Sequence, residues 1–390
     1  MKLNTIKGFV QGFIAAVIAA GITGCNVLPE SADGGTGKSA GTLTIATWNL
    51  QALFDGTENG TEYSDYSIGA GWSAEKYQAR LTAVSRAAEQ MNAGLSNISQ
   101  EAPDILALEE VENTDVLMTL AKEGLAKHGY NWTFFANNHG ASLGIGVLSK
   151  FPLVQTRAHS VTSDGETTPR PILEIQIEPD GSPLVLFICH WKSKLGGDAA
   201  TEPLRRASAR ILLRRLRELN DEQPGTPVVI MGDLNENHDE FYRNSGTAIS
   251  ALMPDDPKAA ELSGFSAFAS NSASDSSLQQ DKKAQTDYLV LSREKPPRST
   301  HYAAQALVFY SPWGSELQQG SYYYQNNWET IDHFLMNEAL FDEAGWNFET
   351  CAVVNTAPFA TQNSRPYAYN PRTGSGLSDH FPLLLVLKLK

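Results

Sequence analysis

A chain of 390 residues with 42% hydrophobic side chains carries enough apolar material for a substantial core, as two ordinary domains or one large α/β domain. A formal net charge of −14 excludes a broadly basic surface, so a phosphate-bearing partner must be drawn by local basic groups or bound cations. Three cysteines are too few for a disulfide framework.

The first 24 residues read as an export signal. Lys2 and Lys7 form a short basic start, and Phe9 to Ile22 is an apolar Gly/Ala-rich run too short to span a bilayer comfortably. It ends at Ile22-Thr23-Gly24-Cys25, which resembles a bacterial lipobox. Cys25 is therefore expected to be lipidated and to anchor an exported protein to a membrane, with an ordinary signal peptide or anchor helix as the alternative. Residues 25–41 read as a flexible tether to a domain over 42–390. The tether contains Gly34-Gly35-Thr36-Gly37-Lys38-Ser39, but position 32 is alanine and no strand precedes it, so this is no P-loop.

From residue 42 an apolar run repeatedly ends in a reactive polar residue. Leu43 to Trp48 leads to Asn49, Ile105 to Leu108 to Glu109-Glu110, Leu184 to Cys189 to His190, and Val228 to Gly232 to Asp233-Leu234-Asn235. Runs of this length suit strands buried on both faces. Two later segments reverse the order: Asp332-His333 precedes Phe334-Leu335-Met336, and Asp379-His380 precedes Leu383 to Leu387. If these two run antiparallel to the others, all six polar ends meet at one edge.

Helices alternate with the strands. Tyr77, Leu81, Val84, Ala88 and Met91 share one face of a helix capped by Ser73. Leu204, Ser208, Ile211, Leu212 and Leu219 line another, whose Arg205, Arg206, Arg210, Arg214 and Arg217 read as a solvated face rather than a phosphate surface. Segments 55–72, 266–284 and 356–376 read as loops. Cys189 reads as core filling, and its pairing with Cys351 stays open.

Phosphodiester hydrolysis needs a hard cation on oxygen ligands, an oriented water and help for the leaving oxygen. The strand ends supply Glu110, Asp379 and Asn49 as oxygen donors, Asp233 and Asn235 to position a water, and His190 and His380 for phosphate and proton transfer. Mg²⁺, or Mn²⁺ as the alternative, suits that donor set. A zinc site would need more nitrogen and sulfur, and neither CxxC nor HExxH is present.

The set Thr47-Trp48-Asn49-Leu50, Leu108-Glu109-Glu110-Val111, His190-Trp191-Lys192-Ser193, Gly232-Asp233-Leu234-Asn235, Ile331-Asp332-His333 and Ser378-Asp379-His380 resembles the endonuclease/exonuclease/phosphatase superfamily. The resemblance implies a four-layer α/β/β/α sandwich of two mixed β-sheets flanked by helices. It implies that Glu110 is the main metal ligand with Asn49 and Asp379 nearby, that His190 contacts phosphate, and that Asp332 orients His380. Arg170 and Lys192 look like the basic residues of bacterial members near the phosphate. Asp287, which also opens a strand-like run, is the alternative to Asp332. Glutamine usually stands where Glu109 does, and strand alternation should point Glu109 to the other face.

These features lead us to expect a monomeric, metal-dependent phosphoesterase acting on nucleic acid. A phosphatase or phospholipase C-type enzyme acting on sphingomyelin or phosphoinositides is the alternative. Two rival readings are weaker. Gly140-Ala141-Ser142-Leu143-Gly144 fits G-x-S-x-G, but a strand-like run follows it where a serine hydrolase needs a helix. A catalytically silent binding lipoprotein would have lost ligands, and none of the six motifs is missing.

Overall fold

The computed structural model describes residues 26–27, 41–94, 101–163, 166–266 and 286–390. Cys25 and its preceding apolar run, the Gly34–Ser39 segment and nearly all of 266–284 lie outside the described residues.

Two large mixed sheets pack face to face. The first runs, in spatial order, Asn26–Val27, Trp132–Ala136, Gly144–Ser149, Ile105–Val111, Thr42–Leu53, Leu383–Leu389 and Trp346–Val353. The second runs Leu252–Pro254, Leu289–Ser292, Val308–Tyr310, Asp332–Met336, Val228–Asp233, Leu184–His190, Ile172–Ile177 and Gln155–His159. Alternation explains the layering. Ile45, Ala107 and Leu385 of the first sheet meet Ile188, Met231 and Phe334 of the second in a shared core. Their neighbours Trp48, Leu106 and Leu384 turn outward onto the Ala74–Ala88 helix. On the far side Phe187, Ile230 and Leu335 pack on the Asp198–Glu222 helix. The result is the four-layer sandwich.

Strand direction brings the polar ends together. Leu184–His190 and Val228–Asp233 are parallel and end in register, His190 beside Asp233. Asp332–Met336 is antiparallel to Val228–Asp233 and begins at that edge, Asp332 opposite Asp233. In the other sheet Thr42–Leu53 and Ile105–Val111 are parallel, with Asn49 opposite Glu109, and Leu383–Leu389 returns antiparallel.

Several expectations resolve locally. Ser73 accepts from Lys76 N–H and caps its helix, while Met91 falls in a following 3-10 turn but stays buried. Cys189 and Cys351 are free thiols buried in different cores, so no bridge joins them. Asn26 and Val27, within the expected tether, pair as a two-residue strand with Thr133 and Trp132.

The arginine face needs correction at Arg205, whose side chain is fully buried. It donates through Nη1 to Thr201 Oγ1 at 2.8 Å and through Nη2 to Glu202 Oε2 at 2.6 Å. Its Nε lies 2.5 Å from Oε2 of Glu236, which is equally buried. This cluster clamps the helix to the loop that follows Asp233. Burial, and Glu202 beside it, push the Glu236 carboxyl well up while Arg205 opposes them, so any negative charge on Glu236 depends on the guanidinium. Arg205→Ala strands Glu236 in the interior and is expected to cost about 3–5 kcal/mol of stability, read as a lower urea midpoint at an unchanged m-value. Arg214→Ala, on the exposed side, is expected to change the midpoint little.

Candidate active site

His190, Asp233 and Asp332 stand side by side at the edge of the second sheet, and Asn49 reaches across from the first. Asn49 Nδ2 donates to Asp233 Oδ2 at 3.0 Å and makes a longer contact with Glu110 Oε1 at 3.5 Å. Asp233 Oδ1 accepts from Asn235 N–H at 2.9 Å. Asn235 Nδ2 donates to Trp191 O at 3.1 Å, tying the two strand ends together.

The backbone leaves regular geometry at the residues that face the site. Glu110 has φ +63° and Asn235 φ +50°, and the register of the Ile105–Val111 strand shifts between Glu109 and Val111 on both sides. Such positive-φ residues cost on the order of 1–3 kcal/mol and persist only where their surroundings enforce them. The bulge resolves the Glu109–Glu110 ambiguity. Glu109 stays in phase with Ala107 and is fully buried between the sheets, where its Oε1 accepts from Thr47 Oγ1 at 2.8 Å. Burial pushes its carboxyl well above the usual range, so it holds a proton. Glu110 is swung to the partly open rim. Gly232 completes the fit: at φ +118°, a Cβ would lie 2.1 Å from Cys189 O and 3.0 Å from Glu109 Oε1.

The two histidines are held in opposite states. His380 Nδ1 lies 2.9 Å from Asp332 Oδ2, which also accepts from Ser321 Oγ at 2.6 Å. Burial pulls the imidazole down, but Asp332, then Asp379 and Asp233, outweigh it and hold His380 protonated well above the ordinary range. Ser378 Oγ accepts from His380 N–H at 3.0 Å and donates to Asn49 O at 2.6 Å, tying the His380 segment to the end of the Asn49 strand within the first sheet. His190, by contrast, is kept neutral by burial, with Arg170 and His380 adding to that effect. Its Nε2 sits 3.6 Å from Asp233 Oδ2 and 3.8 Å from Glu110 Oε1. Asp233 is pushed up to about 7, by burial first and by Asp332, with His380 opposing. Environments that drive neighbouring groups apart in this way are the mark of acid–base chemistry.

The donor set suits a hard cation. Glu110 and Asp379 present carboxylates at the rim, each partly exposed, and the Glu110 charge adds to the burial that raises Asp379. Asp233, Asp332 and His380 also bring ligand atoms within 4.8 Å of one another. There, however, Asp332 Oδ2 is already engaged by His380 and Ser321, which leaves the Glu110 and Asp379 pair with the larger unmet demand for positive charge.

Arg170 joins the rim, its Nη2 4.0 Å from Glu110 Oε1 and its guanidinium beside the Tyr63 hydroxyl. Lys192 follows the His190 strand, but no described contact ties its ammonium to the other site residues. Asp287 lies elsewhere, paired with Arg206 at 2.8 Å and Arg210 at 3.6 Å. Ser142 precedes the Gly144–Ser149 strand rather than a helix, and no hydrogen bond joins it to His380. Ser321 and Tyr322 escaped the sequence reading. Tyr322 stacks on His380 with ring centroids 4.6 Å apart, yet both residues lie in a short hairpin region with no apolar run to mark it.

The profile of the endonuclease/exonuclease/phosphatase family matches residues 44–315, well over half of the chain. The chain belongs to this family. It is therefore a phosphoric ester hydrolase, of a family that is largely metal-dependent. Among solved structures it resembles ANGEL2, a 2′,3′-cyclic phosphatase, at 12% identity and TM-score 0.51, over 89% of this chain and 95% of that one. It also resembles truncated TDP2 of Caenorhabditis elegans, at 14% identity and TM-score 0.47, over 89% and 97%. The mannosyl-6-phosphatase of Bacteroides thetaiotaomicron aligns at 15% identity and TM-score 0.47, over 88% and 99%. No curated protein sequence matches significantly.

In this family member Asp332 and His380 are expected to act as one unit. Asp332→Asn and His380→Ala should each lower kcat by about 10²–10⁴, with a double mutant little worse than the worse single. Asp287→Asn should leave kcat unchanged. Protonated His380 is lost as pH rises through its raised pKa. Asp332→Asn should therefore move the alkaline limb of the kcat profile to lower pH.

Proposed function

We propose that this phosphoesterase is an exported, membrane-anchored nuclease that hydrolyses phosphodiester bonds with Mg²⁺. The observation that carries the nucleic-acid reading is a ladder of rings at the mouth of the site. Tyr322 lies on His380, and Tyr324 stacks on Tyr322 at 6.1 Å and 15° with 54% of its surface exposed. A flat aromatic surface beside the scissile phosphate suits a base, whatever its identity. The acidic net charge is compatible with a polyanion because a bound cation neutralises phosphate locally.

Glu110, Asp379 and Asn49 would hold the metal, which supplies charge neutralisation at the phosphoryl oxygens when bound. The chain's own residues do the rest. Asp233, poised near 7 and fixed by Asn49 and the Asn235 N–H, orients the attacking water and takes its proton. His190, neutral, and Arg170 contact the non-bridging oxygens. His380, protonated and held through Nδ1 by Asp332, stabilises the phosphate or gives a proton to the leaving oxygen from Nε2.

EDTA is expected to abolish activity, with Mg²⁺ or Mn²⁺ restoring it better than Zn²⁺. On a panel of single-stranded DNA, duplex DNA, RNA, sphingomyelin and inositol phosphates, a nucleic acid should be the best substrate. A preference for sphingomyelin or an inositol phosphate would overturn the nuclease assignment and leave the phosphoesterase standing. The anchor rests on the lipobox-like sequence at Cys25. Cys25→Ser should yield an unprocessed or soluble protein of unchanged specific activity, and a mature N-terminus elsewhere would refute lipidation.

A further inference from the structure

A cavity of about 460 Å³ lies outside the site described above. It sits where three parallel strands, Leu252–Pro254, Leu289–Ser292 and Val308–Tyr310, reach their carboxyl ends. The residues just beyond those ends, Asp255, Arg293 and Ser311, all line it. In α/β sheets the space outside the carboxyl ends of parallel strands is where ligands bind.

Its polar groups are incompletely satisfied. Arg293 has no ion pair among the described residues, and its guanidinium lies against Gly314, which leaves room for it. There φ is +76° and a Cβ would lie 2.9 Å from Nη2 of Arg293. Ser311 is 2% exposed, yet its Oγ has no hydrogen-bond partner among the described residues. A buried hydroxyl left unpaired costs free energy that a ligand would recover. His238 lies parallel to Trp313, with ring centroids 6.3 Å apart. Its Nδ1 is taken by Thr330 Oγ1 at 2.8 Å, an oxygen that also accepts from the His238 N–H at 3.2 Å and reaches Asn237 Oδ1 at 3.3 Å; with the hydroxyl turned to Asn237, the ring proton sits on Nδ1. That leaves Nε2, an acceptor in the neutral ring. Asp255 is occupied by the Ser299 hydroxyl at 2.5 Å, and Glu294 adds a second acid that disfavours a doubly charged guest.

We propose that this cavity is a second phosphate subsite that takes a phosphate monoester or free phosphate as the monoanion. Arg293 meets the charged oxygens, Ser311 donates its hydroxyl, and His238 Nε2 accepts the remaining P–OH. A phosphodiester has no P–OH and is disfavoured on that ground. Trp313 walls the cavity and donates from Nε1 to Asp332 O at 2.9 Å, so one indole separates the subsite from the catalytic strand. The source of the ligand rests on the phosphoesterase reading, being either a terminal phosphate of the substrate or released phosphate. The existence of the subsite does not.

The test is calorimetric titration of inorganic phosphate into the full chain with Mg²⁺, in a His190→Ala background that weakens phosphate binding at the catalytic site. A saturable site is expected, weakened about tenfold by Arg293→Ala and severalfold by Ser311→Ala. Absence of binding, or binding indifferent to both substitutions, would overturn the proposal. In the active enzyme, a 5′- or 3′-phosphorylated oligonucleotide should show a lower KM than its unphosphorylated form. Arg293→Ala should erase that difference while hydrolysis of bis(p-nitrophenyl) phosphate stays unchanged. Equal KM values with phosphate binding intact would assign the subsite to free phosphate. Failure to hydrolyse any phosphodiester would sink the catalytic reading, and the titration would still decide the subsite.

Discussion

Five carboxyl groups, two from one sheet and three from the other, converge where the polar ends of the two sheets meet, and neutralising them is the constraint on which the rest of the site depends. Asp233, Asp332 and Glu109 are almost fully buried, while Glu110 and Asp379 stand at the rim. Each is answered differently. Glu109 keeps a proton, Asp332 is matched by the charged His380, and Asp233 receives the Asn49 amide and the Asn235 N–H. The rim pair has Arg170 at one side and otherwise needs a cation. Removing any one answer leaves a desolvated charge, which is costly in a low-dielectric interior.

That constraint orders the fold around the site. The two sheets are joined at their polar edge by hydrogen bonds, Asn49 to Asp233 and His380 to Asp332, and not only by the apolar core below. The bulge at Glu110 and the positive φ at Asn235 are local strain held by this network and by the Arg205–Glu236 clamp behind it. The same strained backbone sends adjacent glutamates to different places, Glu109 between the sheets and Glu110 to the rim.

Much of this was legible in the sequence, for a physical reason. Strands buried on both faces are long apolar runs, so the polar residue ending each one is conspicuous, as with Asn49, His190 and Asp233. Asp332 and His380 stand before their runs, a position that brings them to the same end only if those strands return antiparallel, as both do. What the sequence did not show lacks such a period. Ser321 and Tyr322 act from a short hairpin. Arg205 carries an exposed residue type on a helical face that reads as solvated, and only the tertiary structure brings Glu236 onto it. Asp287 opens a strand-like run as Asp332 does, and the two are told apart by their partners: Arg206 for one, His380 for the other.

Two arrangements of charge compete for the metal, and diffraction from crystals soaked in Mn²⁺ separates them. Anomalous scattering should place the ion against Glu110 and Asp379, with His380 Nδ1 still bonded to Asp332. An ion seated instead among Asp233, Asp332 and His380, with the Asp332–His380 bond broken, would contradict the division of roles set out here.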